Sequence, residues 1–183
     1  FVPGDVWRFT GGFHGGWGSG SAWSALDFAP PDDRKDGDPF CYTSQADVTA
    51  VANGVIARNS RGAIVLDLDG DADEATGWTI LYLHVTADPS LALGQAVSAG
   101  DKIGNASCYG GFSTATHLHI SRRYNGEWLP ADCRECSISS GIPPFVMSGW
   151  QAIGLEGQEY QGYMQNLITG ASVVAEQGRN TKI

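Results

Sequence analysis

Residues 62–85 read GAIVLDL-DGDADEATG-WTILYLHV, two apolar, β-branched and aromatic-rich runs separated by an acidic turn. Each run is too short for a helix of ordinary length and lacks a 3.6-residue stripe, so both are expected to be strands, paired across Asp69–Thr76. The pattern spreads in both directions. Upstream, residues 48–58 (VTAVANGVIAR) read as two strands meeting at Asn53-Gly54, a favoured hairpin or bulge pair. Downstream, residues 93–104 (LGQAVSAGDKIG) alternate turns and short strands. Residues 117–124 (HLHISRRY) form a further strand that Asn125-Gly126 returns into EWLP. Many short strands without an amphipathic helix predict a mainly β protein, an antiparallel sheet or sandwich.

Two stretches do not fit a ladder of hairpins. Residues 10–26 form a Gly/Ser/Trp-rich loop too long for a mere connector, and long ordered loops tend to carry function. The tail after about residue 140, with PPFVMSGW at 143–150, is expected to be a strand-and-coil extension packed on the same domain, its last ten residues loose. The domain division read here is 1–140 for the main unit and 141–183 for the extension. No internal repeat or low-complexity linker marks a second independent domain.

Composition narrows the functional classes. The 183 residues include 42% hydrophobic and 17% charged side chains, which is ordinary for a globular chain. The formal charge of −9 repels phosphate backbones, so nucleic acid is excluded as a partner, and a polybasic membrane patch is excluded likewise. No apolar run is long enough to span a bilayer. The chain opens at Phe1 with neither initiator Met nor signal peptide, as would an exported protein trimmed of its leader or pro-segment, or a piece cut from a longer chain. Four cysteines (Cys41, Cys108, Cys133 and Cys136) suit two disulfides in a secreted protein, with three pairings open. Cys133-Arg-Glu-Cys136 could instead be half a zinc knuckle or a redox pair, but no second CxxC and no surrounding βαβ pattern support either.

The chain has only four histidines, His14, His84, His117 and His119. On a strand, His117 and His119 project to one side and Leu118 to the other. Two imidazoles on one rigid face suit a metal, or a ligand beside an acid–base group. His14 stands in Gly-Gly-Phe-His-Gly-Gly, with room for something to approach. Asp27, between Leu26 and Phe28, is a carboxylate in need of a partner. Singly, each has a plain reading: a solvated strand, a sheet-rim polar residue, an edge carboxylate. Jointly, two imidazoles and one carboxylate suit a catalytic zinc that keeps a fourth position for water, leaving two histidines for protons and a developing oxyanion.

The order of these residues resembles the lysostaphin-type zinc endopeptidases. In that family a histidine is followed by an aspartate, then by Tyr-x-His at a strand end, then by a His-x-His strand. Here these are His14, Asp27, Tyr82-Leu-His84 and His117-Leu-His119. The twelve residues between His14 and Asp27 resemble the staphylolysin (LasA protease) branch, as do Gly77-Trp78, Cys108-x-Gly-Gly-x-Ser-Thr and Tyr124-Asn125-Gly126. The resemblance covers roughly residues 5–130. It implies a β-sheet peptidase core with long loops forming a cleft, and one zinc ion held by His14, Asp27 and His119. It implies that His84 and His117 are the catalytic pair, with His117 taken as the base. The implied activity is metal-assisted hydrolysis of peptide cross-links or glycine-rich bridges in bacterial peptidoglycan, by a secreted monomer. An inactive wall-binding or hydrolase-activating relative is the alternative, and a metal-stabilised β binding module a more distant one. The tail beyond 140 and the positions of Cys41, Cys133 and Cys136 depart from the staphylolysin pattern. The preferred pairing is Cys41–Cys108 with Cys133–Cys136.

Three aromatic residues are expected to line the cleft and touch substrate: Trp17 and Trp23 from the glycine-rich loop, and Tyr82, taken to share His84's face. Ser113 and Thr114 could orient substrate, or simply make a turn. The acidic turn has alternating carboxylates at Asp69, Asp71 and Asp73, which suit a structural calcium ion. It lacks the glycine spacing and flanking helices of an EF-hand, so a solvated hairpin loop is the competing reading.

Overall fold

A computed structural model of the chain describes residues 1–17, 21–32, 34–131 and 143–176. Among these residues there is no α-helix, and the strand pairings are antiparallel. The largest sheet runs in the order β1 (Arg8–His14), β2 (Ala25–Ala29), β10 (Leu118–Tyr124), β6 (Trp78–Leu83), β5 (Ala63–Asp67), β4 (Gly54–Ser60), β8 (Ala96–Val97). Strand β11 (Glu127–Trp128) returns onto β10 across Asn125-Gly126, both in the left-handed region. A second sheet joins β3 (Asp47–Thr49), β9 (Lys102–Ala106) and β7 (Val85–Ala87). The third, β12 (Val146–Met147), β13 (Trp150–Ile153), β14 (Tyr163–Asn166) and β15 (Ser172–Val174), is the C-terminal meander.

Strand alternation sorts the apolar side chains. Ile64, Leu66, Tyr82, Leu118 and Ile120 point to one face, where they meet Val48 and Ile103 of the second sheet and Ala152 and Met164 of the third. This is the main core, and each fully buried aliphatic side chain in it contributes about 1.5–3 kcal/mol. Ala63, Val65, Leu81 and Leu83 take the opposite face and form a smaller cluster with Ala57 and Trp128. On that face of β10 lie His119 and Ser121.

The paired strands across Asp69–Thr76 form as the sequence predicts: β5 and β6 align from Ala63↔Leu83 to Asp67↔Thr79. The expected hairpin at Asn53-Gly54 does not. β3 pairs with β9 in the second sheet, while β4 pairs with β5 and β8 in the first. The Asn53 side-chain oxygen instead accepts the Ala99 N–H at 2.8 Å, and a Cβ at Gly54 would collide with the Asp67 carbonyl. Here the chain crosses between sheets, and the glycine serves a close approach instead of a turn.

Phe145, Ala152, Met164 and Ala175 of the C-terminal segment join the main core cluster, and its strands form a sheet of their own. Arg122 of β10 reaches into this junction. It donates to the carbonyls of Pro144 (3.2 Å) and Pro130 (3.4 Å), and its guanidinium lies over the rings of Phe145 and Trp78. Cys41 and Cys108 are disulfide-bonded, which fits an oxidising compartment. The expected partners Cys133 and Cys136 lie outside the described residues. No helix among the described residues is long and apolar enough to cross a membrane.

Candidate functional site

Three neighbouring strands bring three side chains to one point. Asp27 of β2 sits directly opposite Gly11 of β1 on one side and His119 of β10 on the other. His14 closes β1. Gly11 is where a side chain could not be tolerated: a Cβ there would lie 2.7 Å from Asp27 Oδ2. Strand pairing thus delivers the carboxylate and one imidazole side by side, and the end of β1 supplies the other imidazole.

Their donor atoms converge. His14 Nε2 and His119 Nδ1 are 3.0 Å apart, and each is 3.2 Å from Asp27 Oδ1. The far nitrogens are occupied. His14 Nδ1 lies 2.7 Å from the Gly12 carbonyl and His119 Nε2 lies 2.9 Å from that of Gly16. Carbonyls only accept, so both rings carry their proton on the far nitrogen and aim a lone pair inward. Asp27 Oδ1 is buried with no hydrogen-bond partner among the described residues. Donor atoms facing each other this closely suit a shared cation, either a proton or a metal ion. Tetrahedral zinc, at about 2.0–2.1 Å from each ligand, would set the ligand atoms about 3.3 Å apart. The donor set fits such an ion.

The electrostatics agree with this arrangement. Burial alone would push the Asp27 carboxyl up. The adjacent imidazoles of His119 and His14, and then His117, overcome it and hold Asp27 far below the ordinary carboxylate range. Burial likewise works to lower His14, but the adjacent Asp27 carboxylate raises it above its usual value.

His117 and His84 stand beside this cluster, with ring centroids 4.5 Å apart. His117 Nδ1 lies 2.8 Å from the Ala115 carbonyl, which accepts its proton, so the lone pair is on Nε2, 3.6 Å from Asp27 Oδ1. His84 is buried, and burial first, then the charges of His117 and His119, push it down to about 4. It occupies the break between β6 and β7 with φ of 62°, a left-handed conformation uncommon for a side chain of this size.

That φ explains one correction. Period-two alternation would put Tyr82 on the same face as His84, facing substrate. The left-handed kink redirects His84, and Tyr82 stays in the main core, fully buried. Its hydroxyl accepts the Val51 N–H at 2.9 Å, and burial raises its pKa. Tyr82 therefore does not line the cleft.

The histidines open into a cleft of about 1450 Å³ whose lining includes Trp17, Trp23, Ser113 and Thr114. Ser113 Oγ donates to the Ala115 carbonyl at 2.8 Å, a turn interaction. Several wall residues carry no signal in the sequence. Phe40 and Phe112 line the cleft with most of their surface exposed. Tyr160 comes from the C-terminal extension and stacks on the His14 ring, with centroids 4.3 Å apart and planes 18° apart. Its backbone pairs with that of β1, Gly12 N–H to Tyr160 O at 2.9 Å and Tyr160 N–H to Phe13 O at 2.8 Å. Glu159 lies next to it in the lining. A contact spanning 146 residues of sequence leaves no local pattern to read.

The acidic turn calls for a second correction. Asp69, Asp71 and Asp73 do not converge; the carboxylates near one another are those of Asp67, Asp69 and Asp71. Asp67 accepts the N–H groups of Asp69, Gly70 and Ala72, and Asp71 accepts from the Asp73 N–H and the Thr76 hydroxyl. Asp73 caps the Ala75 N–H. Asp69 is hydrogen-bonded to Asp67, which raises its pKa, as two carboxyls sharing a proton require. These oxygens fold the loop, and calcium is not supported. Glu74, at the end of the turn, pairs with Arg58 and Arg123.

One solved structure shares the architecture. The solved structure of "a novel M23 metalloprotease", pseudoalterin, described as from the deep sea, superposes with a TM-score of 0.65. It is 22% identical and covers 93% of this chain and 90% of its own. At that identity the likeness speaks for the fold alone. The catalytic domain of the antimicrobial peptidase lysostaphin from Staphylococcus simulans is 24% identical, with a TM-score of 0.42, over 68% of this chain and 86% of its own. The model of peptidase family M23 matches residues 34–130, more than half of the chain and the segment that carries His84, His117 and His119. The chain belongs to peptidase family M23.

Proposed function

We propose that this protein is a secreted, monomeric zinc metalloendopeptidase that hydrolyses peptide cross-links or bridges of bacterial peptidoglycan, with affinity to the staphylolysin branch. The observation that carries the reading is the convergence of His14 Nε2, Asp27 Oδ1 and His119 Nδ1 within 3.2 Å, beside two further histidines in an open cleft. These three residues would hold the zinc, which when bound supplies a Lewis acid that acidifies water and polarises a carbonyl. His117 is the base: its Nδ1 proton is held by Ala115 and its Nε2 lone pair faces the same space. His84 stays neutral well below physiological pH, so its ring N–H can donate to the oxyanion that forms at the scissile carbonyl. Trp17, Trp23 and Tyr160 form walls against which an extended peptide can lie.

The test combines metal analysis with digestion of purified cell walls. One zinc per chain is expected, with wall clearing that falls by about 100-fold or more in His117→Ala. Mass spectrometry of fragments from walls of known cross-link identifies the bond. A protein without zinc, or a zinc protein whose wall clearing survives His117→Ala, overturns the reading in favour of a non-catalytic wall binder.

A further inference from the structure

Ser107 lies at the end of β9, one residue before the disulfide-bonded Cys108, and is almost fully buried. Its backbone N–H donates to the His84 carbonyl at 2.7 Å, and its hydroxyl donates to the same oxygen at 3.1 Å. Its carbonyl accepts the His117 N–H at 3.3 Å, in an isolated β-bridge. The hydroxyl in turn accepts the Tyr109 N–H at 3.0 Å. One residue thus bonds the backbone of both free histidines, and no other described residue does so through a side chain as well.

We infer that Ser107 is a positioning residue that holds His84 in its left-handed conformation and fixes it against His117. The argument rests on the catalytic-pair reading above. A side chain at φ of 62° persists only where its surroundings over-determine it. Two donors on one carbonyl provide that restraint, because rotating the peptide after His84 would break both bonds at once. The peptide that follows His84 is held at both ends, its N–H by the Gly62 carbonyl at 3.1 Å and its carbonyl by the two donors of Ser107. Cys108 anchors the donor itself through Cys41. The hydroxyl lies outside the lining of the cleft, so it acts on the histidine and not on substrate.

The test uses the full, zinc-loaded protein and a quenched-fluorescence glycine-rich peptide, with Ser107→Ala, Ser107→Thr, His84→Asn and the Ser107→Ala/His84→Asn double variant. Ser107→Ala is expected to lower kcat by about tenfold with KM within twofold of wild type and zinc content unchanged, and Ser107→Thr to restore most of the rate. In the His84→Asn background, Ser107→Ala should have no further effect, because the group it positions is gone. An unchanged kcat in Ser107→Ala, or a full additive loss in the double variant, overturns the inference. If Ser107→Ala does not fold, a wild-type kcat in Ser107→Cys, whose thiol is a weak donor, overturns it instead. If His84→Asn retains the wild-type rate, the catalytic-pair reading fails and the role of Ser107 fails with it. An impaired His84→Asn with an intact Ser107→Ala removes Ser107 alone.

Discussion

At the scale of single residues, the site is set by which nitrogen of each imidazole is free. Two glycine carbonyls, Gly12 within β1 and Gly16 just beyond it, hold the protons of His14 and His119 and so present both lone pairs inward; the loop expected over residues 10–26 is strand at both ends. His14, Asp27 and His119 could be picked out of the sequence as a candidate ligand set, but this orientation could not. A main-chain carbonyl has no residue-specific signature, and the glycines suggested room for substrate. The pH dependence follows from the same atoms. In the metal-free protein, Asp27 raises the affinity of His14 for a proton, and a zinc ion held there would have to displace it. The proposed zinc binding should therefore weaken at low pH. Its affinity should fall by about tenfold per pH unit once the pH drops below the raised His14 value, as chelator competition between pH 8 and 5.5 would measure. Replacing Asp27 with Asn should remove both the proton-holding charge and the anionic ligand. The expected outcome is zinc affinity reduced by at least about 100-fold and a flatter pH dependence. Retention of stoichiometric zinc by Asp27→Asn under dialysis would rule out Asp27 as a ligand.

At the scale of elements, alternation within strands explains most of what was legible. His117-Leu118-His119 projects two imidazoles away from the core because Leu118 is anchored in it. The same rule failed at Tyr82 and His84, because it holds only while φ stays extended, and β6 ends at Leu83. It also failed at Asn53-Gly54, where a good turn pair sits in a crossover between sheets. Local propensity decided neither outcome; pairing with distant strands did. The register between β1 and β2 yields a direct test. Gly11 faces Asp27 so closely that Gly11→Ala must displace the carboxylate. Such overpacking costs about 1–3 kcal/mol. The variant should fold with a lowered melting temperature and bind zinc at least about tenfold more weakly, whereas Gly37→Ala, at an open position with left-handed φ, should leave zinc affinity unchanged. Equal zinc affinity in Gly11→Ala and wild type would contradict the register.

At the scale of the whole molecule, the cleft depends on two long-range ties. Cys41–Cys108 joins segments 67 residues apart and fastens the loop that carries Phe40 next to the strand that carries His117. Thr116 reinforces the tie, donating its N–H to Phe40 O and its hydroxyl to Tyr42 O. Replacing both cysteines with serine should lower stability by about 2–4 kcal/mol in denaturant melts while zinc content at 25 °C is retained. The second tie is the C-terminal sheet. Truncation after residue 131 would strip Phe145, Ala152, Met164 and Ala175 from the main core and Tyr160 from His14. The truncated chain should bind a hydrophobic dye and lose cooperative unfolding, although it retains the whole segment that matches the family. A truncated chain with a native melt would show that the extension is dispensable.

By itself the sequence determined the antiparallel β class, the hairpin from residue 62 to 85, and the five residues that gather at the candidate site. Alternation, turn chemistry and the scarcity of histidine are properties of neighbouring residues, and they survive being read in one dimension. Only the tertiary structure decided that Tyr82 is core and Tyr160 is wall, that Asp67 and its neighbours fold their own loop, and that glycine carbonyls and Ser107 orient the histidines. Those outcomes depend on backbone torsions and on main-chain partners, some as far off as Gly16 from His119 and Tyr160 from His14, and no local pattern of side chains specifies either.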